Sequence, residues 1–191
     1  MFKTILIRAL GVVLAVAGLI GASSAHAATA SCAAPCTTGN VAVNFSITIP
    51  STLRLTIGTA AAASVAWSVP AANIGDSTAQ TPTVTNGGNA NTALVNYSVF
   101  SNRNANVSVS AVDSLGNTGL VSGANTIPYA DITAVATGAL SAPAVGGVAQ
   151  TLTPASGVVD VSGTWAFSYA NTANPPAGTY TSTVNYTATQ P

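Results

Sequence analysis

Downstream of residue 28 few side chains could do chemistry. Asp76, Asp113, Asp131 and Asp160 are the only carboxylate side chains, Arg54 and Arg103 the only fixed cations, and Cys32 and Cys36 the only thiols. The single histidine, His26, and the single lysine, Lys3, lie upstream, and glutamate does not occur. Serine and cysteine nucleophiles need a neighbouring imidazole or amine to take their proton, so hydrolase chemistry of that kind lacks its base. A glycosidase needs two carboxyl groups held at a fixed separation across a bond, and four scattered aspartates show no such pairing. Calcium is the one cation that aspartate and asparagine oxygens would suit. The Asp113-Ser114-Leu115-Gly116-Asn117 stretch, however, lacks the alternating ligands and terminal bidentate acid of a calcium loop and reads as a turn. The inventory describes a non-enzyme with no cofactor and no metal.

The upstream residues account for themselves as an export leader. Lys3 and Arg8 form a positive start, Ala9 to Ile20 is an unbroken apolar run, and Ala25-His26-Ala27 supplies a small-x-small site, which puts cleavage between Ala27 and Ala28. The apolar run ends at Gly21, short of the roughly 20 residues that span a bilayer, and no second run follows. The expectation is a secreted, extracellular or cell-surface protein, crossing a periplasm if the source is Gram-negative, with no transmembrane segment after cleavage. Two arginines against four aspartates offer no basic patch to a phosphate backbone, which excludes nucleic acid as a partner. The same shortage removes electrostatic attachment to an anionic membrane.

The elements that must carry this uncharged surface are strands. Thr, Ser, Asn and Gly fill the polar share of the chain, and with Val, Ile and the aromatics they suit pleated sheets joined by tight turns. Alternation over Val41, Val43, Phe45, Ile47 and Ile49 predicts a strand with one buried face. Leu53, Leu55 and Ile57 resume it after Pro50-Ser51, and Val65, Trp67 and Val69 repeat it before Pro70. Val95, Tyr97 and Val99, then Val107, Val109 and Ala111, predict a hairpin across Asn102-Arg103-Asn104. Trp165, Phe167 and Tyr169 share one parity, as do Tyr180, Ser182, Val184 and Tyr186 beyond the Asn174-Pro175-Pro176 break. Roughly eight to ten short strands with regular turn signals predict an all-β, immunoglobulin-like antiparallel β-sandwich. Residues 28–40 read as an N-terminal extension and residues 41–191 as a single sandwich domain.

Within that extension, Cys32 and Cys36 flank Pro35, and in an oxidising compartment they are candidates for a local disulfide. Trp67 and Trp165 could stack on a sugar face, but each shares parity with apolar neighbours two positions away, which assigns them to a core.

The run from Trp165 to Pro191, WAFSYANTANPPAGTYTSTVNYTATQP, resembles the end of WxL domains, the wall-binding β-domains of Gram-positive surface proteins. Trp165 matches the first tryptophan, Phe167 stands in place of the leucine, and Tyr180 with Val184 keeps the distal spacing. Asn185, Tyr186 and Ala188 depart from that pattern, so the resemblance implies the fold. The segment AGTYTSTVNYTAT also resembles the closing strand of spore coat protein U-type and other chaperone-usher fimbrial subunits. Such subunits are completed by a neighbour's N-terminal strand, by β-augmentation, and Val41 to Ile49 has the alternation that implies. The same segment read without the resemblance pairs inside its own sheet. The functional expectation is a structural or adhesive surface protein, fimbria-like or part of a surface layer, whose partner is a second copy or another surface protein. The alternative is a module that binds wall glycan or other carbohydrate. Mass spectrometry of the exported protein should find Ala28 at its N-terminus. A lipid-modified Cys32 or a retained Met1 would contradict the leader assignment.

Overall fold

The computed structural model describes residues 29–59, 61–88, 93–116 and 118–191. The expected leader and its expected cleavage junction, Ala27–Ala28, lie outside them. The chain divides into two units, residues 1–48 and residues 49–191. Over its described residues the first unit holds no helix or strand, and a disulfide joins Cys32 to Cys36 with their Cα atoms 6.2 Å apart, inside the span a disulfide bridges.

The second unit is all-β, as the composition predicts. Its strands are β1 (Leu53–Ile57), β2 (Ser64–Ala66), β3 (Thr83–Thr85), β4 (Leu94–Ser101), β5 (Val107–Asp113), β6 (Leu120–Ser122), β7 (Asn125–Ile127), β8 (Ile132–Thr137), β9 (Gln150–Leu152), β10 (Val159–Tyr169) and β11 (Val184–Thr189). Two single 3-10 turns, Ala71–Asn73 and Tyr129–Asp131, interrupt them. One sheet runs β1-β4-β10-β8 and the other β11-β5-β9, with β2-β3 and β6-β7 as separate ribbons. Every strand pair is antiparallel. The count exceeds the expected eight to ten because the ribbons are built from three-residue strands.

Alternation decides which face of each sheet is buried. In β4, Val95, Tyr97, Val99 and Ser101 point inward, and in β5, Val107, Val109, Ala111 and Asp113 do. The expected hairpin between these two strands does not form. β4 pairs with β1 and β10 while β5 pairs with β11 and β9, so the chain crosses from one layer to the other through residues 102–106. Side-chain bonds hold that corner where a tight turn would otherwise stand. Ser101 Oγ donates to Gln190 Oε1 at 2.7 Å, and Gln190 Nε2 donates to the carbonyls of Ala105 at 2.7 Å and Arg103 at 3.3 Å.

The core combines Tyr97, Val99, Val159 and Trp165 from the first sheet with Val107, Val109 and Leu152 from the second, closed by Leu140 from the loop after β8. Trp165 is completely buried. Its ring stacks on Tyr97 at 5.0 Å, meets Tyr186 at 5.2 Å and takes the edge of Phe167 at 6.4 Å. The indole N–H donates to the Leu140 carbonyl at 2.9 Å. Tyr97 reaches the same loop, donating to Thr137 O at 2.9 Å and accepting from Leu140 N at 3.0 Å. Gly163 lies opposite Tyr97 in the β4–β10 register. A Cβ there would stand 1.9 Å from Thr137 O and 2.6 Å from the Tyr97 hydroxyl, so only glycine lets the phenol through.

Replacing Trp165 with Ala removes a large buried aromatic and should lower the unfolding free energy by about 3 to 5 kcal/mol, read as a shift of the denaturant midpoint. An unchanged midpoint would contradict this account of the core.

Candidate functional site

β1 and β11 carry the features that set this sandwich apart from a closed one. β1 is one outer strand of its sheet and β11 one of the other, with β8 and β9 at the opposite ends, and β1 and β11 lie against each other across the layers. Among the described residues neither has a second strand partner. The inward set stays partly exposed on both strands: Leu55 and Ile57 on β1, and Val184, Tyr186 and Ala188 on β11. Leu53 is 37% exposed. The core is therefore only partly covered along this side.

The segment preceding β1 has the complementary deficiency. No strand forms over residues 41–52, which departs from the strand with one buried face that the alternation predicts. Val43 is 71% exposed, Phe45 90%, Ile47 87% and Ile49 76%, with Val41 at 49%. The residues have strand character but no described strand pairs with them, and the compact unit begins only at Ile49. Five apolar side chains of one parity are thus left facing water.

Both edges carry few of the usual guards against strand addition. Native edges are blunted by lysine, proline or inward-pointing charge. β1 carries one charge, Arg54, on its outward face, where its guanidinium covers the Phe100 ring at 5.6 Å. β11, VNYTAT, carries none. Its first residue lies beside a hydrogen-bonded cluster. Tyr129 OH donates to Asp113 Oδ2 at 2.7 Å and also bonds the Ser182 hydroxyl. The backbone N–H of Leu115 donates to Asp113 Oδ1 at 2.8 Å. Asp113 is opposite Val184 in the β5–β11 register, so this cluster sets where β11 starts.

The aspartates are dispersed. Asp76 Oδ1 accepts from Thr78 N at 2.8 Å and Asn171 Nδ2 at 2.9 Å, shaping the loop before β3. Asp131 ends a 3-10 turn, and Asp160 lies on the exposed face of β10 opposite Phe100. No group of three or more His, Cys, Asp or Glu able to hold a metal occurs among the described residues, and none of their helices is long and apolar enough to cross a membrane.

On the outer face of the first sheet a shallow depression of about 420 Å³ is lined by Thr56, Asn96, Ser98, Ser162 and Thr164. Trp165 is buried away from any such surface. Trp67 is half-buried, with an indole N–H that meets no acceptor, and the buried Tyr169 hydroxyl likewise has no partner in the structure. Tyr180 lies outside β11, its hydroxyl donating to Pro176 O at 2.9 Å. The sequence-selected residues thus divide: Trp165, Phe167 and Tyr186 meet in the core, Val184 stands half-buried opposite Asp113, and Tyr180 pins a loop. The open side itself was not singled out from sequence, because alternation marks buried faces and says nothing about which strands end a sheet.

The phenols around β11 have a measurable signature. Tyr129 is pushed up to about 12, chiefly by burial, with the Asp113 hydrogen bond and charge adding and the Ser182 hydrogen bond opposing. Tyr186 is pushed up to about 12 by burial and then by Tyr129. Both start from 10.0, so the folded state favours the protonated phenol. Their contribution to stability is complete below pH of about 10 and is lost as pH rises toward 12. Urea unfolding across that range should show stability falling with pH. The slope should be shallower in a Tyr129→Phe, Tyr186→Phe double variant.

No protein-family model, curated protein or solved structure matches the chain.

Proposed function

We propose that this chain is a secreted structural subunit of a bacterial surface, fimbria-like or part of a surface layer, which assembles by strand addition and carries out no turnover. One observation carries the reading: the alternating apolar segment Val41–Ile49 is exposed and unpaired, in a chain whose sandwich is only partly covered between β1 and β11. The acceptor is the open side of a second copy. An added strand there would gain backbone hydrogen bonds from a free edge and would lay every second side chain over Leu55, Ile57, Tyr186 and Ala188. Covering a large apolar side chain contributes about 1.5 to 3 kcal/mol, so several seated residues outweigh the cost of ordering the segment. The chemistry of the chain agrees with this role. It has no histidine or lysine beyond residue 26 and no glutamate anywhere, which leaves proton transfer to four dispersed aspartates.

Phe45→Asp with Ile47→Asp places two charges on the apolar parity of the segment without touching the sandwich. Electron microscopy and light scattering should find polymers of the unaltered protein and monomers of the variant, with equal thermal midpoints for the body. A concentrated, monodisperse monomer of the unaltered protein, with no adherence to cells or matrix, would overturn the proposal. The alternative, a glycan-binding module, draws on the hydroxyl-lined depression over Thr56, Ser98 and Ser162. Saturable co-sedimentation with purified peptidoglycan by that same monomer would favour it.

A further inference from the structure

We infer that Asn44 is an acceptor for N-linked glycan, added during export by an enzyme that transfers sugar from a lipid-linked diphosphate. The inference rests on the secretion proposed above and not on strand addition.

Such an enzyme reads the tripeptide Asn-x-Ser/Thr, which occurs here as Asn44-Phe45-Ser46, Asn96-Tyr97-Ser98, Asn106-Val107-Ser108 and Asn185-Tyr186-Thr187. In a chain this rich in Asn, Ser and Thr the spacing recurs by composition and selects nothing. The fold does select. The transferase must draw both the carboxamide and the hydroxyl into its own cleft, so the acceptor has to lie on a surface segment outside any strand ladder. Asn96 and Ser98 are half-buried on β4, which is paired on both sides, with β1 and β10. A Cβ at Gly88 would stand 2.7 Å from Asn96 Nδ2, so this carboxamide is also closely packed. Asn106 is exposed, but Ser108 is half-buried on β5 opposite Thr189 and Thr151. Asn185 and Thr187 are exposed, but their backbone pairs with Val112 and Ser110. Asn44 and Ser46 are both exposed, and no helix or strand includes them. Of the four tripeptides, this one presents the whole motif on backbone that can bend into a second protein.

A second observation points the same way. Val43, Phe45 and Ile47 are exposed to water, in a run with strand character and no proline from Val41 to Ile49. From residue 28 to Leu53 the sequence holds no charged side chain, so the charges that ordinarily flank and solubilise such a run are missing. A bulky hydrophilic glycan supplies solubility by another route. Asn44 has the parity opposite to the five apolar residues, so on an extended segment a sugar there leaves the apolar side open to a partner.

The transfer balances with no base from this chain. The lone pair of a carboxamide nitrogen is delocalised into its carbonyl, which makes Nδ2 a poor nucleophile until the transferase holds it. Nδ2 then attacks the anomeric carbon of the bound sugar. A C–N bond forms, the C–O bond to the diphosphate breaks, and the lipid diphosphate leaves with the bonding pair. One amide proton passes to a base of the transferase.

Trypsin separates the candidates, because Arg54 and Arg103 are the only lysine or arginine residues downstream of Arg8. Digestion of the reduced, exported protein from its native source puts Asn44 in residues 28–54, Asn96 in residues 55–103, and Asn106 with Asn185 in residues 104–191. Mass spectrometry should find the first peptide heavier than its sequence by whole sugar residues, with fragments that place them on Asn44. The other two peptides should have their sequence masses. Asn44→Gln and Ser46→Ala should each abolish the increase, and Ser46→Thr, which keeps the hydroxyl, should retain it. Both positions lie in the unit that holds no helix or strand over its described residues, so these substitutions remove no strand of the sandwich. An exported protein with a bare Asn44, or a sugar that survives Asn44→Gln and is released from Ser46 by alkaline elimination, would overturn this inference and leave secretion standing. A protein found only inside the cell with Met1 retained would overturn both.

Discussion

The indole of Trp165 is the fixed point around which the sandwich is organised. A buried tryptophan must satisfy one N–H, and Leu140 O is the acceptor. That bond draws the loop after β8 over the core, where the Tyr97 hydroxyl serves both Thr137 O and Leu140 N. Magnitudes separate the two roles. Burying 150 to 250 Å² for each ring at about 25 cal/mol per Å² gives roughly 4 to 6 kcal/mol apiece, whereas each hydrogen bond nets about 1. Packing supplies the energy and the hydrogen bonds supply the orientation. The glycine opposite Tyr97 follows from this geometry, since no other residue leaves room for the phenol.

A chain with so few charges settles its polar groups by neutral means. Asn102, Asn171 and Gln190 each use a carboxamide to bind backbone from a distant part of the sequence. Asn171 is nearly fully buried in a left-handed conformation, with Nδ2 on Asn73 O and Asp76 Oδ1 and Oδ1 on Gly75 N. A carboxamide offers a donor and an acceptor at a fixed spacing and carries no charge to desolvate, so it can clamp a loop without the penalty of a buried ion. The same economy leaves the sheet edges with little electrostatic protection.

Much of the architecture was legible because alternation is a strong local signal. Val95-Tyr97-Val99, Val107-Val109-Ala111 and Trp165-Phe167-Tyr169 mark inward faces, and all appear in strands. The partnering of those strands was not legible. Val99 and Val109 alternate in the same way whether β4 and β5 form a hairpin or lie in opposite layers, so alternation does not choose between the two. Val41–Ile49 shows the same limit from the other direction. Its pattern declares that one face seeks burial and is silent on whose core provides it. Asn102 carried no special signal either, since asparagine beside arginine in a turn is ordinary turn chemistry.

The β1–β4 register also has a mechanical meaning. A pull on the chain upstream of Pro50, directed along β1, would enter the sandwich at that strand. The five residue pairs from Leu53↔Ser101 to Ile57↔Tyr97 would then be loaded in shear, all together, whereas a pull across the ladder would open them one at a time. Asn102 sits at that end, donating to the Pro50 carbonyl at 2.8 Å, accepting from Thr52 N–H at 2.8 Å and donating its backbone N–H to the Thr52 carbonyl at 3.4 Å. Such a ladder resists stretching through backbone pairs acting in parallel, with Arg54 the one charged side chain on β1.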